Sequence, residues 1–191
     1  MNDDDPPNNR SLNISGNYRY MGEGYYESVL RETTPTPKEA LDAYVVPLCM
    51  RKAADSGIDV PPWYISNDRF EVPSLIYPIN PYSRKYSVVY KEGRAKTIAR
   101  SLTRNMKYPI CVQRLEEDAA IREFKCVLGM TTSDEFKGLG QRVWEAFRLP
   151  LCKVRVIRDG KALLSAIEPL PLHTLTPREL RFLERGDGWR R

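Results

Sequence analysis

The sequence has very little histidine and no long hydrophobic run. His173 is the single histidine among 191 residues, and it has no nearby serine or cysteine in a nucleophile-elbow pattern, so we predict no catalytic triad. We interpret His173 as a structural residue. No stretch approaches the roughly 18 apolar residues of a membrane span, and the acidic, proline-containing start is unlike a signal peptide. We therefore expect a cytoplasmic protein that does not bind membranes.

Patterns typical of common ligand sites are also missing. The four cysteines lie in apolar runs without C-x-x-C spacing, which favours reduced core residues. No cluster of histidine, cysteine and aspartate has the spacing of metal ligands, and neither glycine-rich phosphate-loop pattern occurs. We predict no metal site and assign no catalytic residue.

The composition is that of a folded protein. Hydrophobic residues make up 41% and charged residues 29%, with a net charge of +5 and a pI near 9.0, which permits a phosphate-bearing partner without requiring one. We expect an acidic, unstructured tail over residues 1–10. A helical segment over residues 11–58 and a β-rich part over residues 59–191 should form one domain.

Capping signals place several helices. Thr36, Pro37 and Glu39 predict a helix start with a capping box, and Pro47 should kink or divide that helix. The same signals recur in two further stretches, and they predict a helix over residues 134–148, capped by Thr132 with Glu135, and a last short helix, capped by Thr176 with Glu179.

Strand signals occupy much of the remaining chain. Residues 11–15 and five later stretches alternate or concentrate apolar residues between turn signals. Two strands joined at Asp159-Gly160 form the clearest hairpin, because that dipeptide favours a type I′ turn. The order of elements predicts an α+β fold, with a partly antiparallel sheet and flanking helices.

Residues 93–108 predict an amphipathic helix with a cationic face. Ala95, Ile98, Ala99, Leu102 and Met106 form its apolar stripe, and Lys96, Arg100, Arg104 and Lys107 form a basic stripe. We favour a solvated helix face over nucleic-acid binding, because 25 acidic residues are present and no nucleic-acid module is apparent. If the basic face does bind a ligand, we expect nucleotide phosphates or an acidic partner.

A glycine turn near the start carries several aromatic residues. Around MGEGYY, Arg19 and Tyr20 with neighbouring tyrosines could line a pocket for a planar or anionic ligand. Glu23 stands where a phosphate would be repelled. We favour aromatic packing on a sheet.

Three stretches together resemble the RimK-like ATP-grasp N-terminal domain family. They are NISGNYRYMGEGYYESVL, VPSLIYPINPYSRKY and the long segment from VLGMTTSDEF to LHTLTPRE. The resemblance implies a reduced ATP-grasp-like fold and a working context beside an ATP-grasp carboxylate-amine ligase.

A weaker likeness is to ATP-grasp ligases of the D-alanine-D-alanine ligase type. That likeness places Gln113 near the adenine hinge, and Arg155 and Glu168 on the strands that hold phosphate and metal. Tyr77 stands where the nucleotide-binding lysine is expected, and Pro169 follows Glu168 where a metal-binding asparagine is expected. We also expect the chain to be too short for a complete ligase.

Three hypotheses follow. The first is a noncatalytic accessory protein of an ATP-grasp amide or peptide ligase, binding that ligase or its peptide, amino acid or nucleotide. The second is a shortened ATP-dependent ligase, with Lys85 and Arg155 on phosphates and Glu168 on magnesium. The third is a nucleic-acid binder using the basic helix. ATP and magnesium are open as cofactors, and a homo-oligomer is compatible with the sequence.

Overall fold

The computed structural model describes residues 11–12, 33–79 and 85–185. The helices of these ranges are Pro37–Tyr44 (α1), Val46–Asp55 (α2), Glu92–Leu102 (α3), Lys137–Phe147 (α4) and Pro177–Arg185 (α5). The strands are Ser11–Leu12 (β1), Thr33–Thr34 (β2), Trp63–Ser66 (β3), Ser74–Pro78 (β4), Ser87–Val89 (β5), Ile110–Arg114 (β6), Ala120–Val127 (β7), Leu151–Asp159 (β8) and Lys161–Pro169 (β9). Short 3₁₀ turns occupy Asp134–Phe136 and Leu172–Thr174.

Helices α1 and α2 begin and end where the local signals predict. The Thr36 hydroxyl accepts a hydrogen bond from the Glu39 backbone amide at 3.2 Å, and the Thr36 amide donates to the Glu39 carboxylate at 2.8 Å. The chain leaves the helical conformation at Val45, and Pro47 lies in the first turn of α2. Proline at this position loses no helical hydrogen bond, so it divides the helix without breaking either half.

The described strands form three sheets. A four-stranded sheet has the order β3-β6-β4-β5, a three-stranded sheet has the order β7-β8-β9, and both are antiparallel throughout. Strands β1 and β2 form a two-residue parallel pair. The predicted α+β class with antiparallel sheet and flanking helices is therefore confirmed.

Both faces of the four-stranded sheet are covered. Leu75, Tyr77 and Cys111 point into the main core, which also contains residues of α1, α2 and the three-stranded sheet. Ile76 and Val112 point the other way, where α3 packs on them. Side chains of alternate strand residues face opposite sides, so this alternation aims odd-numbered residues of β4 and β6 toward the second sheet.

The β8–β9 hairpin is present, but its turn differs from the prediction. Gly160 has a φ of 63°, whereas Asp159 is not among the residues with positive φ. A type I′ turn requires positive φ at both central residues. The turn therefore uses glycine alone for the left-handed conformation.

The start of α4 also differs from the prediction. A 3₁₀ turn precedes the helix, and no side chain caps either element. The Thr131 hydroxyl instead accepts the Ser133 amide at 3.3 Å. The predicted capping box of Thr132 and Glu135 is wrong, because the chain enters the helix through this tighter turn.

The last helix begins as predicted. The Glu179 carboxylate accepts the Thr176 amide at 2.7 Å, and the Thr176 hydroxyl accepts the Glu179 amide at 3.3 Å. Lys125 of β7 donates to Glu179 at 3.1 Å and to the Thr174 carbonyl at 2.5 Å. This contact fixes the chain after β9 against the edge of the three-stranded sheet.

Two earlier predictions fall wholly or partly outside the described ranges. The strand predicted over residues 11–15 is described only at Ser11–Leu12, and the aromatic turn with Arg19 and Tyr20 lies outside. Within the described ranges, no helix is long and apolar enough to cross a membrane.

Candidate functional site

A cluster of charged side chains lies where the two larger sheets face each other. On β8, Lys153 and Arg155 are two residues apart and therefore project to the same side. Glu123 of β7 is the cross-strand partner of Arg155, and Glu168 of β9 is the cross-strand partner of Lys153. Strand register thus places two cations beside two carboxylates.

Arg155 is the centre of this cluster, which we call the ion-pair cluster (Glu123, Lys153, Arg155 and Glu168). Its side chain is only 2% exposed. The guanidinium donates to Glu123 Oε1 at 2.8 Å through Nε and at 2.5 Å through Nη2, and its Nη2 forms an ion pair with Glu168 Oε1 at 2.6 Å. These contacts bind the buried positive charge on two sides.

Lys153 completes the cluster. Its ammonium lies 2.8 Å from Glu168 and 3.3 Å from Glu123. Two cations and two carboxylates therefore neutralise each other. Glu168 is 15% exposed, while Lys153 and Glu123 are each about a third exposed, so the cluster reaches solvent on the Lys153–Glu123 side and is buried on the Arg155 side.

Two tyrosine rings cover the guanidinium. The Arg155 Cζ atom lies 3.9 Å from the ring centroid of Tyr86 and 5.7 Å from that of Tyr77. The two rings are themselves 5.9 Å apart. Cation–π contacts of this kind gain strength when water is excluded, and here they fill the space above Arg155.

A chain of hydrogen bonds runs from Arg155 into the core. Arg155 Nη1 donates weakly to the Tyr77 hydroxyl at 3.4 Å, and Ser165 Oγ donates to Gln113 Oε1 at 2.6 Å. Tyr77 and Ser165 hydroxyls are 2.8 Å apart. Because Ser165 has one hydroxyl proton and uses it on Gln113, Tyr77 donates to Ser165. Gln113 Nε2 then donates to the Ser165 carbonyl at 2.7 Å.

A β-bulge aims Ser165 into this network. Arg155 is paired with Ala166, but Val156 is paired with Leu164. Ser165 is the extra residue on β9. Such a residue leaves the regular alternation of the strand, which lets the Ser165 hydroxyl meet Tyr77 and Gln113 of the opposite sheet.

The charges and burial shift several pKa values. Burial raises the pKa of Tyr77 to about 12, against the lowering effect of Arg155. Partial burial acts to raise the pKa of Glu123, but hydrogen bonds and charge from Arg155 and Lys153 outweigh it, and that pKa is lowered. Burial acts to lower the pKa of Lys153, but hydrogen bonds and charge from Glu168 and Glu123 outweigh it, and that pKa is raised. At neutral pH the Tyr77 phenol is therefore neutral, whereas Glu123 and Lys153 are charged.

Three of the predicted site residues meet in one network. Gln113, Arg155 and Glu168 are connected through Tyr77, Ser165 and direct ion pairs. Lys85 is exposed and directly precedes Tyr86. Arg19 and Tyr20 lie outside the described residues. Binding of nucleotide or another ligand by these residues stays a prediction.

The predicted basic face is only partly on a helix. Lys96 and Arg100 lie on α3, but that helix ends at Leu102. Arg104 and Lys107 follow it, in a turn whose residues Arg104, Asn105 and Met106 all have positive φ. The helix ends early because the buried Thr103 hydroxyl donates to the Ala99 carbonyl at 2.6 Å and accepts the Met106 amide at 2.7 Å. Met106, predicted in the apolar stripe, is exposed.

Sequence reasoning missed Glu123, Lys153, Tyr86 and Ser165. The alternation in KVRV, residues 153–156, places two cations on one strand face, and Glu123 alternates in the same way on β7. That pattern could have indicated cross-strand ion pairs. The bulge at Ser165 has no comparable signal.

The described residues do not fit a magnesium-nucleotide site. Magnesium binds through carboxylate oxygens and phosphate, yet both carboxylates at this position are engaged by Arg155 and Lys153. Among the described residues, no group of three or more histidine, cysteine, aspartate or glutamate side chains could hold a metal ion.

Comparison with solved structures shows the fold. The protein is similar to a RimK domain ATP-grasp protein from Sphaerobacter thermophilus, with a TM-score of 0.70 and 12% identity, over 90% of this chain and 76% of that chain. It is also similar to D-alanine–D-alanine ligase from Bacillus anthracis, with a TM-score of 0.64 and 12% identity, over 84% and 69% of the chains.

A third similar structure is the ATP-grasp ligase PsnB in complex with a precursor variant, Mg and ADP. Its TM-score is 0.53 and its identity 13%, over 75% of this chain and 54% of that chain. This chain thus spans about half of PsnB. At these identities the likeness establishes an ATP-grasp-like fold alone.

Sequence comparison gives the family. No curated protein matches the chain. The family described as the RimK-like ATPgrasp N-terminal domain matches residues 86–186, which is more than half of the chain and includes every member of the ion-pair cluster. The protein therefore belongs to the RimK-like ATP-grasp N-terminal domain family.

Proposed function

We propose that this protein is a noncatalytic partner of an ATP-grasp carboxylate-amine ligase. The amide- or peptide-forming chemistry would belong to the ligase, and this chain would bind the ligase or its peptide or amino acid substrate. The observation that carries the proposal is the ion-pair cluster, in which both carboxylates are neutralised by cations of the same chain.

A working phosphate and metal site needs free ligands. Carboxylates must be available to magnesium, and cationic side chains must be available to phosphate. Here Arg155 is buried and fully engaged with Glu123 and Glu168. Moving the guanidinium to a phosphate would leave Glu123 and Glu168 with Lys153 as their only cation in the cluster. The cluster therefore resists recruitment by a triphosphate.

Tyr77 supports the same conclusion. From the resemblance to D-alanine-D-alanine ligases, a lysine is expected at position 77. A lysine there would bring a positive charge to a nucleotide phosphate. Burial raises the Tyr77 pKa to about 12, so the phenol is neutral at physiological pH. Its hydroxyl is already engaged with Ser165 and Arg155.

The solved structures supply a chemical context. PsnB is an ATP-grasp ligase that was also solved in complex with a precursor peptide. A protein that keeps this architecture while Glu123 and Glu168 are paired with cations of the same chain is suited to hold a peptide or to dock on a ligase. A peptide substrate is therefore our preferred ligand class for the accessory role.

The experiment uses the full chain, purified alone and mixed with a complete ATP-grasp ligase encoded near it. ADP release and amide formation are measured with magnesium, ATP and amino acids. We expect no product from this chain alone, and co-elution with the ligase or its peptide. Amide formation by this chain alone would overturn the proposal and would support the shortened-ligase hypothesis instead. Absence of any co-elution with ligase or peptide would also count against it.

A further inference from the structure

One segment of the chain carries nearly all of its excess positive charge. Residues 91–107 contain six basic side chains and one acidic one, Glu92, which gives a net charge of +5. The whole chain also has a net charge of +5, so the remainder is neutral overall. We call this the basic segment, with cations Lys91, Arg94, Lys96, Arg100, Arg104 and Lys107.

The cations of the basic segment are exposed, and no carboxylate in the described part of the chain pairs with them. All six are exposed, and none forms an ion pair with a carboxylate of the described residues. Elsewhere, exposed cations such as Lys38 and Arg51 are paired within their own helices. The basic segment therefore carries exposed positive charge that no described carboxylate neutralises.

Packing fixes the orientation of the segment. Ala95, Ile98 and Leu102 of α3 pack against the four-stranded sheet. Lys96 and Arg100 are one turn apart on the opposite face of the helix. Lys96 and Arg100 are thus held outward on a helix of 11 residues, which has a length of about 16 Å.

Helix stabilisation accounts for only part of this charge. Cations near a helix C-terminus interact favourably with the helix dipole, but cations near the N-terminus do not. Arg100 lies in the last turn of α3, whereas Lys91 is the N-cap residue and Arg94 lies in the first turn. The dipole therefore explains Arg100 and leaves Lys91 and Arg94 without a structural role.

The turn after α3 presents further groups in a defined conformation. Residues 104–106 all have positive φ, which costs about 1–2 kcal/mol per non-glycine residue. The Asn105 amide donates to the Arg100 carbonyl at 2.8 Å, and the Tyr108 amide donates to the Thr103 carbonyl at 2.9 Å. This turn folds back on the helix end and places Arg104 Cζ 5.7 Å from the ring centroid of Tyr108.

Exposed tyrosines lie at both ends of the segment. Tyr90 directly precedes it and is 57% exposed, and Tyr108 directly follows it and is 52% exposed. Cations combined with exposed aromatic rings are the features by which proteins bind single-stranded nucleic acid, since phosphates meet the cations and bases stack on the rings. An acidic peptide would use the cations but would gain nothing comparable from the rings.

From these features we infer that the basic segment, with Tyr90 and Tyr108, is a binding surface for single-stranded nucleic acid. Its cations contact phosphates, and the two rings stack on bases. Recognition through phosphate and stacking is tolerant of base sequence. This inference does not rest on the accessory role proposed above.

The test measures fluorescence anisotropy of a labelled single-stranded RNA of about 12–16 nucleotides, within the usual site sizes of such proteins. The full chain should bind at about 50 mM salt and weaken as salt rises. With about 0.7 counterions released per contacted phosphate, three to six contacts predict a slope of log K against log salt of about −2 to −4.

Two double variants distinguish binding at the basic segment from a general effect of the protein's positive charge. Lys96→Gln with Arg100→Gln removes two cations of the basic segment, and Lys38→Gln with Arg51→Gln removes two exposed helix cations elsewhere. The first should weaken binding more than about tenfold at low salt, because two phosphate contacts are lost. The second should change it less than about threefold, because only the net charge changes. Far-UV circular dichroism verifies that both remain folded.

Tyr108→Ala tests the stacking role and should weaken binding by about fivefold or more, without changing the salt slope. Three results would overturn the inference. They are no binding at low salt, equal weakening by the two double variants, and binding of an oligo-glutamate peptide as tight as that of RNA with no effect of Tyr108→Ala. The last would identify an acidic peptide surface instead.

Discussion

Arg155 Nη2 lies 2.6 Å from Glu168 Oε1, and this ion pair joins the middle strand of the three-stranded sheet to its neighbour below the surface. Arg155 also binds Glu123 and lies beneath the ring of Tyr86. A nucleotide-binding arginine would have to leave these partners. The structural role of Arg155 therefore competes with the phosphate-binding role that the likeness to D-alanine-D-alanine ligases implies for it.

Replacing Arg155 by methionine should strongly destabilise the protein. The change keeps an unbranched stem, removes the guanidinium and leaves two carboxylates with Lys153 as their remaining cation, so we expect a loss of about 3–5 kcal/mol in the free energy of unfolding. Urea denaturation measures it. Arg158→Met on the same strand is the control, because Arg158 and its partner Glu135 are both well exposed and such a pair contributes less than about 1 kcal/mol. Equal losses for the two variants would contradict the role given to Arg155.

The hydrogen-bond chain through Ser165 should behave as one unit. Ser165→Ala removes a hydrogen-bond partner of the Tyr77 hydroxyl and of Gln113 Oε1. This loss should lower the free energy of unfolding by about 1–3 kcal/mol. Tyr77→Phe should cost less in the Ser165→Ala background than in the wild type, with a coupling of at least about 0.5 kcal/mol. A double-mutant cycle by urea denaturation measures this coupling. Strictly additive losses would show that the two hydroxyls do not act together.

Gly140 of α4 is packed too closely to accept a side chain. A Cβ at this position would lie 2.8 Å from the carbonyl oxygen of Gly129, and that oxygen belongs to a tight turn at the end of β7. Gly140→Ala should therefore cost about 1–3 kcal/mol, a fall of several degrees in melting temperature.

Gly138 provides the matched control for that prediction. It lies in the same helix, and a Cβ there would meet nothing within 4 Å. Gly138→Ala should leave the melting temperature unchanged or raise it, because alanine is favoured over glycine in a helix by up to about 1 kcal/mol. A comparable fall in both variants would argue for a general intolerance of α4 rather than a close approach at Gly140.

The ion-pair cluster should make stability depend on pH at both ends of the range. The lowered pKa of Glu123 adds stability above its ordinary pKa, and that stability is lost as pH falls through the folded-state value. The raised pKa of Lys153 adds stability below its ordinary pKa, and that stability is lost as pH rises through the folded-state value. Urea midpoints should be nearly constant between about pH 5 and pH 9 and should fall outside that window.

Two variants test which residue causes the loss of stability at each end of the pH range. Glu123→Gln should reduce the fall on the acid side, and Lys153→Met should reduce the fall on the alkaline side. Unchanged slopes in both variants would mean that other groups control the pH dependence.

Local sequence signals correctly predicted the features that depend on local interactions. The caps at Thr36 and Thr176 and the break at Pro47 were correct because each depends on residues within one helical turn. The end of α3 was wrong for a physical reason, since Thr103 diverts the chain by bonding to both Ala99 and Met106. Its hydroxyl competes with the backbone, and an apolar stripe does not reveal that competition.

The candidate site depends on distant residues, and sequence predicted it only in part. Family resemblance indicated Gln113, Arg155 and Glu168, but not their partners. Tyr77 and Arg155 are 78 residues apart, and Tyr77 and Ser165 are 88 apart. These contacts form because two sheets face each other and because β9 has a bulge at Ser165. The alternation of residues within single strands specifies neither feature.

The most direct test of the central claim is the melting temperature of the full chain with and without magnesium and ATP, for the wild type and for Glu168→Gln. Ligand binding to the folded state raises the melting temperature by mass action. If the ion-pair cluster replaces a nucleotide site, magnesium-ATP leaves both proteins unshifted, and Glu168→Gln melts below the wild type because Arg155 and Lys153 lose a partner. A rise in the wild type that disappears in Glu168→Gln would contradict the account and would place nucleotide binding at Glu168.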